Sequence, residues 1–230
     1  MNGLWFISEI LLIPAILFAL FAQFRVKSTF NKNLKVRASS GMTGAQVARG
    51  ILDAQGLNSV PIEHTPGSLS DHYDPRTRVL RLSPEVFNGT SVAALGVAAH
   101  EVGHAIQHKV NYGPISLRNT IFPVANFGSS LAIPLVLLGM FLGIANLTLF
   151  GIIAFSFAVI FQVVTLPVEF NASSRALVLL QQHGYISHSE LGPTKAVLNA
   201  AALTYVAATV VALAQLLRFV LLFMGQSRDD

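Results

Sequence analysis

The stretch Ser91-Val92-Ala93-Ala94-Leu95-Gly96-Val97-Ala98-Ala99-His100-Glu101-Val102-Gly103-His104-Ala105-Ile106-Gln107-His108 decides how this chain is read. It is rich in alanine, the best helix former, and opens on a serine that can cap a helix. It therefore predicts a helix from Ser91 to about His108. Residues four apart share a helix face, so the imidazoles of His100 and His104 can reach one ion. Glu101 sits about 100° round the helix. From there it can hold the water that a metal activates and take its proton. Zinc suits neutral imidazole and needs no thiolate. The chain has no cysteine, which excludes disulfides, thiolate catalysis and cysteine zinc sites. A surface helix with two histidines is the competing reading of HExxH. The apolar residues on both sides argue against it, because two histidines and a glutamate in such a helix need a partner. Gly103 costs about 1 kcal/mol in mid-helix and makes sense if another backbone packs against it.

A catalytic zinc usually has three protein ligands and a water. His108 continues the face of His100 and His104 but lies roughly 12 Å from His100 along the helix. One ion cannot bind all three, and His108 is expected to cap the helix or favour its dipole. Glu169 is the better third ligand, in Leu166-Pro167-Val168-Glu169-Phe170-Asn171-Ala172-Ser173-Ser174-Arg175. Its alternative role is an interfacial charge paired with Arg175.

Working outward, the chain is not that of a soluble domain: 53% of residues are hydrophobic and 11% charged, against about 25% charged in soluble domains. A spanning helix needs roughly 20 apolar residues. Leu4–Phe24 fits, and lacks the basic start and small-residue cleavage site of a signal peptide. Residues 122–168 carry no Lys, Arg, Asp or Glu. They read as a hairpin, Phe122–Ile144 and Leu147–Val168, turning within Gly143–Thr148, with Pro134 and Pro167 able to kink it. Ala200–Met224 is the last span, with Arg218 expected to snorkel from near its end. Eleven of the fifteen Lys and Arg lie between Arg25 and Arg118, and Arg175 and Lys195 lie between the third and fourth spans. The positive-inside rule puts both segments in the cytoplasm and the tail Ser227-Arg228-Asp229-Asp230 outside. The cluster Arg25, Lys27, Lys32, Lys35 and Arg37 either marks topology or grips anionic headgroups. The net charge of +4 is explained by sidedness and does not support nucleic-acid binding.

The polar segment 25–121 predicts a small folded unit. Thr43 caps a helix through Gln55, which Gly56 ends. Val60–His64, Ser68–Tyr73 and Val79–Leu82 read as short strands, with Asp74-Pro75-Arg76-Thr77 as the turn between the last two. Ser83-Pro84-Glu85 starts a short helix. Val79–Leu82 could serve as an edge for an extended substrate or simply pack in a sheet.

Ala98–Gln107, together with Asp71-His72-Tyr73-Asp74-Pro75 and Leu166–Ser173, resembles the YugP-type neutral zinc metallopeptidases of bacterial membranes, over nearly the whole chain. The resemblance implies His100, His104 and Glu169 as zinc ligands, Glu101 as base, one zinc per chain, and a multi-pass protein of the bacterial inner membrane. The more distant HtpX-type proteases have an aspartate where this chain has Ser173, which there orients a ligand histidine. A carboxylate or amide in that role would have to come from Asn171, Asp71 or Asp74. His72, Tyr73 and Arg175 are candidates to stabilise an oxyanion; His64, His183 and His188 carry no pattern.

The expectation is thus a mainly α membrane protein of about four transmembrane helices with a small α+β zincin-like cytoplasmic domain. Its expected parts are 1–24 (first span), 25–121 (domain), 122–168 (hairpin), 169–199 (cytoplasmic segment with the third ligand), 200–224 (last span) and 225–230 (tail). The expected activity is hydrolysis of a protein or peptide substrate at the cytoplasmic face of the bilayer. An inactive zinc-bound scaffold is the alternative, against which an intact Glu101 argues. Site-2-type intramembrane cleavage would want HExxH inside a span, and a transporter would want ionisable residues within the hairpin.

Overall fold

The computed structural model describes residues 3–226, so the tail residues 227–230 and the first two residues lie outside the described part. Most of the chain is helical, with one small sheet. Among the described residues, four helices are long and apolar enough to cross a membrane. They are α1 (Gly3–Asn33), α5 (Gly113–Leu142), α6 (Ala145–Gln182) and α7 (Leu191–Gln226). The chain divides into two compact units.

Within the described residues, the first unit comprises 3–23, Pro114–Pro167 and 204–226. The turn between α5 and α6 falls two residues earlier than expected: α5 ends at Leu142 and α6 starts at Ala145. Gly143 takes a left-handed φ of +68°, which a glycine adopts without strain. Val136, Ile152 and Phe219 form a small buried cluster. Phe127 and Phe141 stand exposed, as side chains facing lipid do. The Arg218 guanidinium donates to Glu9 on α1, so each charge has an opposite partner among the helices.

The second unit comprises Phe24–Gly113 and Val168–Leu203. Helix α2 (Gly44–Ala54) starts in a capping box: Thr43 Oγ1 accepts from the Gln46 amide and Gln46 Oε1 from the Thr43 amide. It ends before Gly56, at φ +64°. Strands β1 (Ile62–His64), β2 (His72–Asp74) and β3 (Val79–Leu82) form a sheet of order β1-β3-β2. β1 runs parallel to β3 and β2 antiparallel. β3 is therefore central and paired on both sides. It cannot offer the substrate-binding edge that was one of its two expected roles, and packs as an interior strand; β1 and β2 are the edges. The turn falls at residues 75–78, with Asp74 the last residue of β2. Helix α3 (Pro84–Phe87) is one short turn. Helix α4 (Val92–Lys109) follows, capped by Ser91 Oγ, which accepts from the Ala94 amide at 3.1 Å.

The core of this unit is the apolar surround of α4. Val92, Leu95, Ala98, Ala99, Val102 and Ile106 are buried in one cluster with Val47, Ile51 and Leu52 of α2, Leu80 and Leu82 of β3, and Leu180 of α6. Helix α6 does not stop where the apolar run stops. It continues through Glu169 to Gln182, so the segment expected as 169–199 is largely helical.

Candidate metal centre

Two helices build the site, α4 and the last part of α6, and they meet where α4 has no side chain. A Cβ on Gly103 would lie 2.9 Å from the Ala172 carbonyl oxygen and 3.1 Å from its Cα. Gly103 is thus tolerated in mid-helix because a second backbone occupies the space. On α4, spacing by four brings His100 and His104 together, with ring centroids 4.8 Å apart and planes nearly perpendicular. On α6, the same spacing aligns Glu169 and Ser173.

Glu169 Oε2 lies 3.3 Å from His100 Nε2 and 3.5 Å from His104 Nε2. In a tetrahedral zinc site with bonds of about 2.0–2.1 Å, ligand atoms stand about 3.3 Å apart. Both separations match such an edge. Metal-ligating atoms of His100, Glu101 and His104 also lie within 4.8 Å of one another. All four residues are little exposed, Glu169 being 2% accessible. The donor set, two imidazoles and a carboxylate, fits zinc.

The outer nitrogens of the two rings are engaged. His100 Nδ1 hydrogen-bonds with Ser173 Oγ at 3.1 Å. His104 Nδ1 stands 3.0 Å from Gln107 Oε1. Gln107 is fully buried, and its Nε2 donates to the Val168 carbonyl (2.8 Å) and to Asn171 Oδ1 (2.9 Å). Asn171 Oδ1 also accepts from Arg175 Nε at 2.7 Å. The Arg175 guanidinium thus donates to Asn171, while Glu169 Oε2 faces the two imidazoles.

Glu101 Oε2 accepts from the Tyr73 backbone amide at 3.0 Å. Burial pushes its pKa up, with His100 and His104 opposing the shift. A carboxyl group moved upward in this way is a stronger proton acceptor once ionised. His104 is shifted upward too: burial opposes the charged form, but Glu169 and Glu101 outweigh it.

The remaining candidates are placed as follows. The Tyr73 phenol lies 3.0 Å from His108 Nδ1, so His108 ties α4 to β2. Asp71 accepts from the Ser83 amide at 2.7 Å and the Ser83 hydroxyl at 3.0 Å. Asp74 accepts from the Arg76 amide and the Thr77 hydroxyl in the turn. Neither aspartate orients an imidazole. His72 is exposed and its Nδ1–H donates to the Ser70 carbonyl at 2.8 Å. The sequence reading missed Gln107 and passed over Ser173. Helical spacing was the available signal: Gln107 follows His104 by three residues and Ser173 follows Glu169 by four, each facing its neighbour across one turn.

Residues 8–224 match the family model described as "Putative neutral zinc metallopeptidase". A relative from Bacillus subtilis (strain 168), "Putative membrane protease YugP", is 55% identical over 220 residues, which cover 96% of this chain and 97% of the relative. No solved structure matches the chain.

Proposed function

The chain belongs to the neutral zinc metallopeptidase family, and from that premise we propose that it is a membrane-embedded endopeptidase whose site is His100, His104, Glu169 and Glu101. The observation that carries this reading is the convergence of His100, His104 and Glu169 at tetrahedral spacing, with Glu101 beside them. Zinc bound there would supply a Lewis acid that acidifies water and polarises the scissile carbonyl.

The chain's own residues do the rest. His100, His104 and Glu169 hold the ion. Glu101 takes the proton of the attacking water and returns it to the leaving amine, so that one carboxylate serves as base and then acid. The Tyr73 amide holds Glu101 Oε2, which leaves Oε1 for the water. An inactive scaffold is less favoured, since ion binding alone does not require Glu101.

The site lies on the cytoplasmic side in this proposal, because the basic segments flank it in sequence. Glu169 follows the expected third span by one residue, which favours membrane proteins or membrane-proximal segments as substrates.

Elemental analysis of the detergent-purified protein tests the site. About one zinc per chain is expected, lost in His100→Ala and in Glu169→Ala. Glu101→Gln should retain zinc while peptidase activity falls roughly 10²–10⁴-fold. A folded wild type without zinc would sink the peptidase reading. Zinc retained in Glu169→Ala would remove Glu169 as a ligand. The chain has no cysteine, so single cysteines report sidedness cleanly. Arg76→Cys should resist an impermeant maleimide in intact cells and Ile144→Cys should react; the reverse pattern would overturn the orientation. A Glu101→Gln trap that recovers only soluble proteins would contradict the substrate class.

A further inference from the structure

We propose that Gln107 is a positioning residue that fixes the ring of His104 for metal binding, and that Asn171 and Arg175 hold Gln107 in the one orientation that does so. The inference rests on the zinc reading above and adds to it the residues that prepare a ligand.

The hydrogen-bond network leaves no freedom. The Val168 carbonyl can only accept, so the Gln107 atom 2.8 Å from it must be the amide nitrogen. Asn171 Oδ1 receives Nε–H from Arg175, which can only donate, so this atom too is an acceptor for Gln107. Both donor positions of the Gln107 amide are thereby spoken for, and its carbonyl oxygen faces His104 Nδ1. That ring nitrogen must then carry the proton. The Nε2 nitrogen, 3.5 Å from Glu169 Oε2, is left with the lone pair that a metal needs. Flipping the Gln107 amide would set its oxygen against the Val168 carbonyl with Gln107 fully buried, where an unsatisfied polar group is costly.

His100 is prepared differently. Ser173 Oγ can donate or accept, so its contact with Nδ1 does not dictate a tautomer. The two histidines of one motif thus differ: His104 is held by an amide chain, buried at Gln107, that ends on a cation, and His100 is steadied by an adaptable hydroxyl. An amide also orients the imidazole without adding the negative charge that a carboxylate partner would bring.

The test is zinc affinity of the purified full-length protein, read by chelator competition, with thermal unfolding of the zinc-free chains as the folding control. Gln107→Met keeps length but removes the acceptor, and should weaken zinc binding about 10–100-fold. Gln107→Glu restores an acceptor oxygen beside Nδ1 but sets its second oxygen against the Val168 carbonyl, and should bind zinc more tightly than Gln107→Met and less tightly than wild type. Arg175→Met frees the Asn171 amide and should cost a smaller, several-fold loss. Wild-type affinity in Gln107→Met would overturn the proposal, as would equal losses in Gln107→Met and Gln107→Glu, the result of a purely structural role. If Gln107→Met does not fold, Arg175→Met decides, and unchanged affinity there overturns the proposal. A wild type that binds no zinc overturns the zinc reading and this inference together. Zinc in the wild type with no effect of these variants overturns this inference alone.

Discussion

At the scale of single residues, Gly103 and Asp74 act through backbone and turn and not through the chemistry. The Ala172 backbone stands where a Cβ of Gly103 would go, and a backbone cannot yield as the end of a side chain can. Gly103→Ala should therefore destabilise by about 1–3 kcal/mol. It should also lower zinc content, because α6 carries Glu169. Thermal unfolding and elemental analysis of one preparation check both. Asp74 is held well below its ordinary value, from 3.8 to about 2, chiefly by the Thr77 hydroxyl and the Arg76 amide. A depressed folded-state pKa means stability that is present above the unfolded value and lost as pH falls through the folded one. Asp74→Ala should thus unfold at lower temperature than wild type at neutral pH. The gap should close as pH falls from about 3.8 to about 2. Comparing the zinc-free forms keeps metal loss out of the measurement, and a gap that does not depend on pH would show that the carboxylate's charge is not what holds the turn.

At the scale of elements, the α5–α6 pair is built on small residues. A Cβ on Gly128 would meet the Ala154 carbonyl oxygen at 2.7 Å, and one on Gly151 would meet the Val136 amide nitrogen at 2.9 Å. In lipid, helices gain little by hiding apolar surface from one another, so close backbone packing has to supply the attraction. Gly151→Leu should lower the thermal midpoint in detergent by several degrees, whereas Leu137→Ala, at an exposed position, should change it little. Equal effects would argue that the contact contributes nothing special. The same close-approach logic operates at Gly103 between α4 and α6. There it serves the candidate site, because it brings His100 and His104 of α4 beside Glu169 of α6, with Ser173 one turn on against His100.

At the scale of the molecule, the charges of the apolar helices matter most. Glu9 and Arg218 lie far apart in sequence and pair within the unit that carries the spans. Removing one partner strands a charge in a low-dielectric setting, at a cost of roughly 3–5 kcal/mol, while removing both is nearly neutral. Arg218→Leu and Glu9→Leu should each lower stability and yield. The double variant should recover most of the loss in thermal unfolding in detergent. Additive losses would show that the two charges act independently.

The sequence by itself determined the four apolar helices, the α2 and α4 caps, the strands β1 and β3, two residues of β2 (expected at Ser68–Tyr73, found at His72–Asp74), and the placing of His100, Glu101 and His104 on one helix. Each rests on local physics: twenty-odd apolar residues, a capping serine or threonine, or a spacing of four along one helix. Glu169 was legible as a ligand candidate from its place after a span, and Gly103 as a point of backbone contact. Tertiary structure alone decided the rest. It made β3 an interior strand, sent Arg218 to Glu9, and turned Asp71 and Asp74 to Ser83 and the β2–β3 turn. It also put Ser173 on His100 and set Gln107, one turn from His104, against the Val168 carbonyl and Asn171. These are long-range pairings or choices between equally available polar partners. No local pattern encodes such a choice; it is settled only when packing brings specific donors and acceptors together and buries them.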